Sequence, residues 1–322
     1  MIHCPAPGLL VKQNFRDIEL LSRAVGWDLD FRQIDPGPLD ARALLFGHTD
    51  IAVLRIEFNR SFHQIGSPPE GFVTFGLPDM ESGVLRWSGV ETPPGVLINF
   101  NFEKKLDCVS PGAFGGFVLS FKEDVLQSVA ENLGLGPKLV ETTMLHRFWE
   151  PGGHEHEQLR QVLRALEKVV LDDGDHGLEL WKDVFNTDLA SLAVRILAGE
   201  SSSPSPAGPM FRASAMTRAI AILGDYNQFP INIEALCTMV GASWATLQRA
   251  FAEEFGVTPS SYIKSRRLAA VQSELIKKGS GAVISDVANR WGFWHMGSFA
   301  SDYRKQFGEL PSETLRRVES GL

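Results

Sequence analysis

The sequence predicts an α+β protein of two domains, an N-terminal antiparallel β-barrel closed by helices and a C-terminal domain that is entirely α-helical. Three observations carry this prediction. The 322 residues exceed one ordinary domain, because domains cluster at roughly 100 to 200 residues. Short strand-like runs dominate the first third, whereas helical periodicities dominate the rest. Finally, GESSSPSPAGPM at 199–210 has almost no apolar content and separates two helical stretches, so it reads as a linker. The expected boundaries are 1–198 for the first domain (barrel about 25–122, helices about 123–198), 199–213 for the linker and 214–322 for the second domain.

Composition narrows the class. A hydrophobic share of 44% and a charged share of 22% suit a soluble globular chain, and no apolar run approaches the ~18 residues of a membrane span. No membrane partner is expected. The start, MIHCPAPGLLVKQNF, lacks the pattern of a signal peptide, and Cys4, Cys108 and Cys237 lie far apart, which together imply a reduced, cytoplasmic location. The net charge of −8 hides a division. Residues 1–210 carry 18 Lys and Arg against 29 Asp and Glu, a net of −11, while 211–322 carry 13 against 10, a net of +3. A mildly basic C-terminal domain permits phosphate binding.

Runs such as WDLDFRQI, ARALLFG, IAVLRIEF, GFVTFGL, VLINF and FGGFVLSF, separated by the turn signals GSPPEG, PDMESG and TPPG, predict an antiparallel sandwich or barrel. The run KEDVLQSVAENLG then predicts a closing helix, with Gly134 at its C-terminal cap. Next, Leu159, Val162, Leu163, Leu166, Val169 and Val170 recur at helical spacing, as do Trp181, Val184, Phe185, Leu189, Leu192 and Ile196. This helical hairpin has two readings, packing against its own domain or pairing with a second copy.

No motif of comparable sharpness marks the first 150 residues. The aromatics Phe46, Phe58, Phe75, Trp87 and Phe100, with Arg55, Arg86 and His63 as polar anchors, either line an apolar pocket or form ordinary core. An enzymatic metal site would require converging histidines and a carboxylate, yet the strands offer only His48 and His63. HEHE at 154–157 falls after the barrel and reads as the solvated start of a helix. Phosphate-binding glycine loops and Gly-x-Ser-x-Gly elbows are missing from the sequence, so no catalytic residue, metal or cofactor is expected.

The C-terminal third repeats itself. IEALCTMVGASWATLQRAFAEEFGVTPS (233–260) lies over ISDVANRWGFWHMGSFASDYRKQFGELPS (284–312), with Ile233, Leu236, Cys237 and Gly241 matching Ile284, Val287, Ala288 and Gly292. Each copy predicts a helix-turn-helix: a short helix ended by Gly241 or Gly292, then a second helix pinned by Leu247, Phe251 and Phe255 or by Phe299, Tyr303 and Phe307. Ser243 fits the N-cap of the first such helix. The outer face of that helix carries Ala245, Thr246, Gln248, Arg249 and Ala252, and amide and guanidinium groups match adenine and guanine edges in a major groove. Between the copies, PSSYIKSRRLAAVQSELIKKG predicts a helix close to 30 Å long, near the ~34 Å between successive major-groove faces.

SWATLQRAFAEEFGVTPSSYIKSRRLAAVQSEL and the second copy resemble the DNA-binding domain of the AraC/XylS transcription regulators, over about 215–318. The resemblance implies that helices about 244–255 and 296–307 read two successive major grooves of promoter DNA. It places Ala245, Thr246, Gln248 and Arg249 at base-reading positions of the first helix. The corresponding positions of the second are His295, Met296, Gly297, Ser298, Ala300 and Ser301. Phosphate contacts are then expected at Ser243, Ser298, Arg304 and Lys305. It further implies a cupin-like barrel that senses a small-molecule effector, a helical dimerisation hairpin, a homodimer, and an activator that engages RNA polymerase. Two alternatives stand beside this: a first domain that serves only for oligomerisation or partner docking, and a metal-dependent barrel enzyme fused to a DNA-binding domain.

Overall fold

A computed structural model describes residues 11–15, 28–48, 50–102, 106–135, 139, 146–180, 188–199, 216, 219–223 and 233–320. Contacts divide the chain into two compact units: residues 1–31, 40–59 and 64–205 form one, and 32–39, 60–63 and 206–322 the other. The expected linker lies outside the described residues except for Gly199, as do Trp181, Val184 and Phe185 of the second hairpin helix.

The first unit is built on two sheets. The larger orders its strands β1 (Val11–Phe15), β3 (Ala41–His48), β4 (Ile51–Phe58), β11 (Phe114–Lys122), β6 (Phe72–Pro78), β9 (Leu97–Asn99) and β12 (Phe148–Trp149). The smaller orders β2 (Asp28–Gln33), β5 (Phe62–Ser67), β10 (Leu106–Ser110), β7 (Leu85–Trp87) and β8 (Val90–Thr92). The central pairings β3–β4, β4–β11 and β11–β6 are all antiparallel. Among the described residues, three helices follow in this unit, α1 (Glu123–Asn132), α2 (His154–Leu180) and α3 (Ala190–Ala198). The α+β class with an antiparallel β unit ahead of a helical one is therefore as the sequence predicts.

Successive side chains of a strand point to opposite faces, and in the larger sheet both faces are covered. Ile51 and Val53 of β4, Val73 and Phe75 of β6, and Leu119 and Phe121 of β11 join one apolar core with Leu126 and Ala130 of α1, Leu159, Leu163, Leu166 and Val170 of α2, and Ala193 and Val194 of α3. The hairpin stripe is thus consumed by its own unit. Helix α1 ends where expected: Gly134 takes φ 71°, the left-handed conformation that reverses a chain after a helix. His156 departs from expectation. Helix α2 does start at His154, but His156 is buried, and desolvation holds its pKa below the ordinary histidine value.

One charged residue interrupts the apolar face. Arg55 is 5% exposed, and its guanidinium meets Glu57 at 2.6 Å, Asp79 at 2.7 Å and Glu167 of α2 at 3.3 Å, lying 4.9 Å from the Phe117 ring centre. Burial alone would lower its pKa; three carboxylates outweigh that and raise it. Arg164 of α2 also pairs with Asp79, at 3.0 Å. Gly115 makes room for this cluster, because a Cβ there would stand 2.5 Å from an Asp79 oxygen. The network ties α2 to the sheet by charge beside an otherwise largely apolar interface, to which Arg160 adds hydrogen bonds to the Pro78 and Gly95 carbonyls. Removing the buried cation leaves Asp79 and Glu167 with only the half-exposed Arg164, so Arg55→Ala is expected to destabilise the first unit by about 3–5 kcal/mol. Urea denaturation checks this, and an unchanged midpoint would show that the cluster contributes nothing.

Candidate nucleic-acid interface

The second unit repeats one backbone device. Helices α4 (Ile233–Val240) and α7 (Ile284–Arg290) each end at a glycine in the left-handed region, Gly241 at φ 67° and Gly292 at φ 83°. After the first, the Gly241 N–H donates to the Thr238 carbonyl (3.2 Å) and the Ala242 N–H to that of Cys237 (3.1 Å). After the second, Gly292 donates to Asn289 (3.0 Å) and Phe293 to Ala288 (2.9 Å). These are two copies of one Schellman turn, which satisfies the last helical carbonyls while turning the chain. Cys237 and Ala288, the small residues noted in the sequence, are the ones whose carbonyls close it.

Each turn leads into a twelve-residue helix, α5 (Trp244–Phe255) and α8 (Met296–Phe307), with the expected bounds. The Ser243 hydroxyl accepts from the Thr246 N–H at 3.2 Å and caps α5. His295 occupies the equivalent position of α8 without a side-chain cap. Both helices close on a left-handed glycine: Gly256 donates to Ala252 at 3.0 Å and Gly308 to Arg304 at 2.8 Å. The inner faces are fixed by Leu247, Phe251 and Phe255 in α5 and by Phe299 and Tyr303 in α8, all buried, with Phe307 half-buried.

What remains outward is the candidate site. On α5, Ala245, Gln248 and Arg249 are exposed and Thr246 half-buried; Arg249 Nε rests against its own helix, 3.4 Å from the Ala245 carbonyl. On α8, Gly297, Ser298 and Ser301 are exposed, Met296 and Ala300 half-buried, and Ser298 donates back to the His295 carbonyl at 2.9 Å. His295 stands at the cap, one residue before the helix. Ser243 and Ser298 lie at the N-terminal ends of their helices, while the exposed Arg304 and Lys305 lie in the last turn of α8.

The connecting helix α6 (Pro259–Lys278) starts at Pro259, with Thr258 accepting from the Ser261 N–H at 3.2 Å. Its 20 residues span about 30 Å. From this rod, Lys264 pairs with Asp302 of α8 at 2.8 Å. Glu274 accepts from the Trp291 indole at 2.9 Å and pairs with Lys278 and Arg290. Leu268, Val271 and Leu275 form a core with Val287, Ala288, Phe299 and Tyr303. A last helix, α9 (Pro311–Glu319), packs beside it, with Tyr303 and Thr314 hydroxyls 2.9 Å apart.

A family model described as a helix-turn-helix domain matches residues 236–317, the span from α4 to α9. The XylDLEGF operon transcriptional activator 2 of Pseudomonas putida is 33% identical over 125 residues, which cover 38% of this chain and 80% of that protein. The chain belongs to the AraC/XylS family of transcription regulators. A second Pseudomonas putida relative, XylDLEGF operon transcriptional activator 3, is 32% identical over 165 residues, 51% of this chain and 49% of its own. The match thus spans about half the length of that longer relative. Among solved structures, the AraC-like transcriptional activator CuxR shares 17% identity, covering 87% of this chain and 100% of its own, with a TM-score of 0.43, too low to carry an argument.

In this AraC/XylS chain, sequence reasoning overlooked two features of the interface. Trp244 and Trp294 are exposed, 42% and 70%, within two residues of the starts of α5 and α8; large aromatics look like core by residue type, and only the turn geometry turns them out. Glu274 was unreadable because, apart from Lys278 one turn away on α6, its partners lie on α7 and the turn after it. Its partial burial pushes its pKa up, but Lys278, the Trp291 N–H and Arg290 outweigh this and hold it below the ordinary carboxylate value. A pKa lowered on folding stabilises the fold above the unfolded value and loses that contribution as pH falls. Glu274→Gln is therefore expected to cost about 0.5–1 kcal/mol at neutral pH, since its cations are half-exposed. The deficit relative to the unaltered protein should close as pH drops below about 4.5, which denaturation across a pH series measures.

Proposed function

We propose that this protein is a sequence-specific DNA-binding transcription activator that reads two successive major grooves of promoter DNA with α5 and α8. The observation that carries the reading is the duplicated head: two helices with the same turn before them, the same glycine cap behind them and polar outer faces, joined by a rod of about 30 Å. Gln248 and Arg249 supply bidentate chemistry for purine edges. Arg304 and Lys305 supply backbone charge, with the hydroxyls of Ser243 and Ser298 at the helix starts. Relatives named as operon transcriptional activators support the positive sign of control, and we infer that the protein acts by engaging RNA polymerase. We further infer that the first unit, joined through the 199–213 segment, receives a small-molecule effector and assembles the chain as a homodimer. The cavity between its sheets favours a sensor over a module that only docks.

Two outcomes test the head. After genome-wide mapping of bound sites supplies an operator, Arg249→Ala should lose about 1–3 kcal/mol against that operator and much less against scrambled DNA. Equal losses in a gel-shift titration would reject its base-reading role. Arg304→Ala or Lys305→Ala should instead weaken both DNAs alike and reduce the salt slope, −dlogK/dlog[salt], by about 1 each. An unchanged slope would remove them from the phosphate path.

A further inference from the structure

Strand parity decides which side chains of the first unit meet in the space between its two sheets. On β4, Ile51, Val53 and Arg55 face the helices, so Leu54 and Ile56 face inward. On β7, Leu85 and Trp87 face inward and Arg86 does not, pairing instead with Glu91 at 2.8 Å. On β5 the inward residue is Gln64, not His63. Arg55, Arg86 and His63, the polar anchors that the sequence offered, are therefore all absent from the described cavity wall, Arg55 being already held by three carboxylates. Of the five aromatics, Trp87 and Phe100 line it, whereas Phe46 and Phe75 belong to the helix-side core and Phe58 stacks on Phe114 at 5.1 Å.

Among the described residues, the cavity wall is almost wholly apolar and carries no carboxylate, ammonium, guanidinium or imidazole. The centre of a water-sized sphere can move through about 50 Å³ of it, several times the ~10–15 Å³ that one water requires. Water has little reason to stay, because Gln64, whose amide already donates to Ser110 at 3.2 Å, and the Trp87 indole are nearly the only polar groups. Trp87 is 1% exposed and its Nε1–H has no hydrogen-bond acceptor among the described residues. A buried donor left without an acceptor is rare in folded proteins and marks a place where a partner is missing. The indole stacks on Phe100 with ring centres 4.7 Å apart and planes 14° from parallel, giving the wall a flat aromatic side.

We propose that this inter-sheet cavity binds a small, neutral, mostly apolar molecule, about one ring in size, that offers a hydrogen-bond acceptor to Trp87 Nε1. An anionic ligand is disfavoured, because a carboxylate here would lose its hydration with no cation to meet it. The proposal rests on reading the first unit as an effector receiver and gives that effector its chemistry. Seating a ring pushes the apolar side chains outward, which couples occupancy to the strands that carry them.

The test uses the full chain and three probes built on one ring: acetophenone, neutral with an acceptor; ethylbenzene, neutral without one; and benzoate, anionic. Acetophenone at millimolar concentration should raise the melting temperature, since a ligand of the folded state stabilises it by mass action. Ethylbenzene should bind about 3- to 10-fold more weakly for lack of the hydrogen bond, and benzoate should leave the temperature unchanged. Trp87→Phe should bring acetophenone and ethylbenzene to the same affinity. Cys108, buried and on the cavity wall, gives a second readout that needs no variant: acetophenone should protect it from methyl methanethiosulfonate, scored by peptide mass spectrometry. Benzoate matching acetophenone, an affinity gap that survives Trp87→Phe, or acetophenone giving neither shift nor protection each overturns the proposal. Binding that leaves an operator gel-shift unaltered would keep the site and retire the effector reading, so the two fail separately.

Discussion

The left-handed turn at Gly241 and again at Gly292 is the constraint on which the head of this protein depends. A residue with a Cβ resists that backbone conformation at a cost of roughly 1–2 kcal/mol, whereas glycine takes it freely. Once the turn is set, the short helix must end, and the next must leave at an angle that buries Leu247 or Phe299 at its start. The closing glycines at 256 and 308 stop each reading helix so that a proline can open the following one. Packing finishes what the turn begins, with α6 serving both copies as a common core and holding the second by Lys264 and Glu274.

The first unit obeys a different constraint, the strict two-residue alternation of its strands. Because both faces of the larger sheet are buried, alternation sorts apolar residues into two cores rather than into a core and a solvated face. It also sorts charge. Arg55 falls on the helix side by parity alone, and Glu57, Asp79 and Glu167 gather round it there. The inward side is left without charge, a negative property that no single residue announces.

This explains why the two halves were unequally legible in the sequence. The repeat exposed the reading helices to within their terminal residues because glycine, proline and an apolar stripe each act locally, and two copies corroborate one another. The hairpin stripe of α2 was legible as a helix, yet which surface it covers depends on a sheet whose strands are scattered from Val11 to Trp149. The sequence left Arg55, Arg86 and His63 open between pocket anchors and ordinary positions for the same reason: residue type suggests a role, but the facing of a strand is settled by its partners. His156 failed similarly, since a polar HEHE run looks solvated until the chain before it folds over one ring.

Trp244 and Trp294 extend the meaning of the duplication. A frame held by turns and stripes leaves the outer positions free to diverge, and the two copies have diverged, one toward Gln and Arg, the other toward small residues with a tryptophan at the turn. On the proposed function, such a head can change its preferred operator one half at a time, because altering the outer face of either helix disturbs neither its own frame nor its neighbour's. Duplicated readers on a shared rod thus make new target sequences reachable through small steps, each of which leaves a folded protein with one half of its old specificity intact.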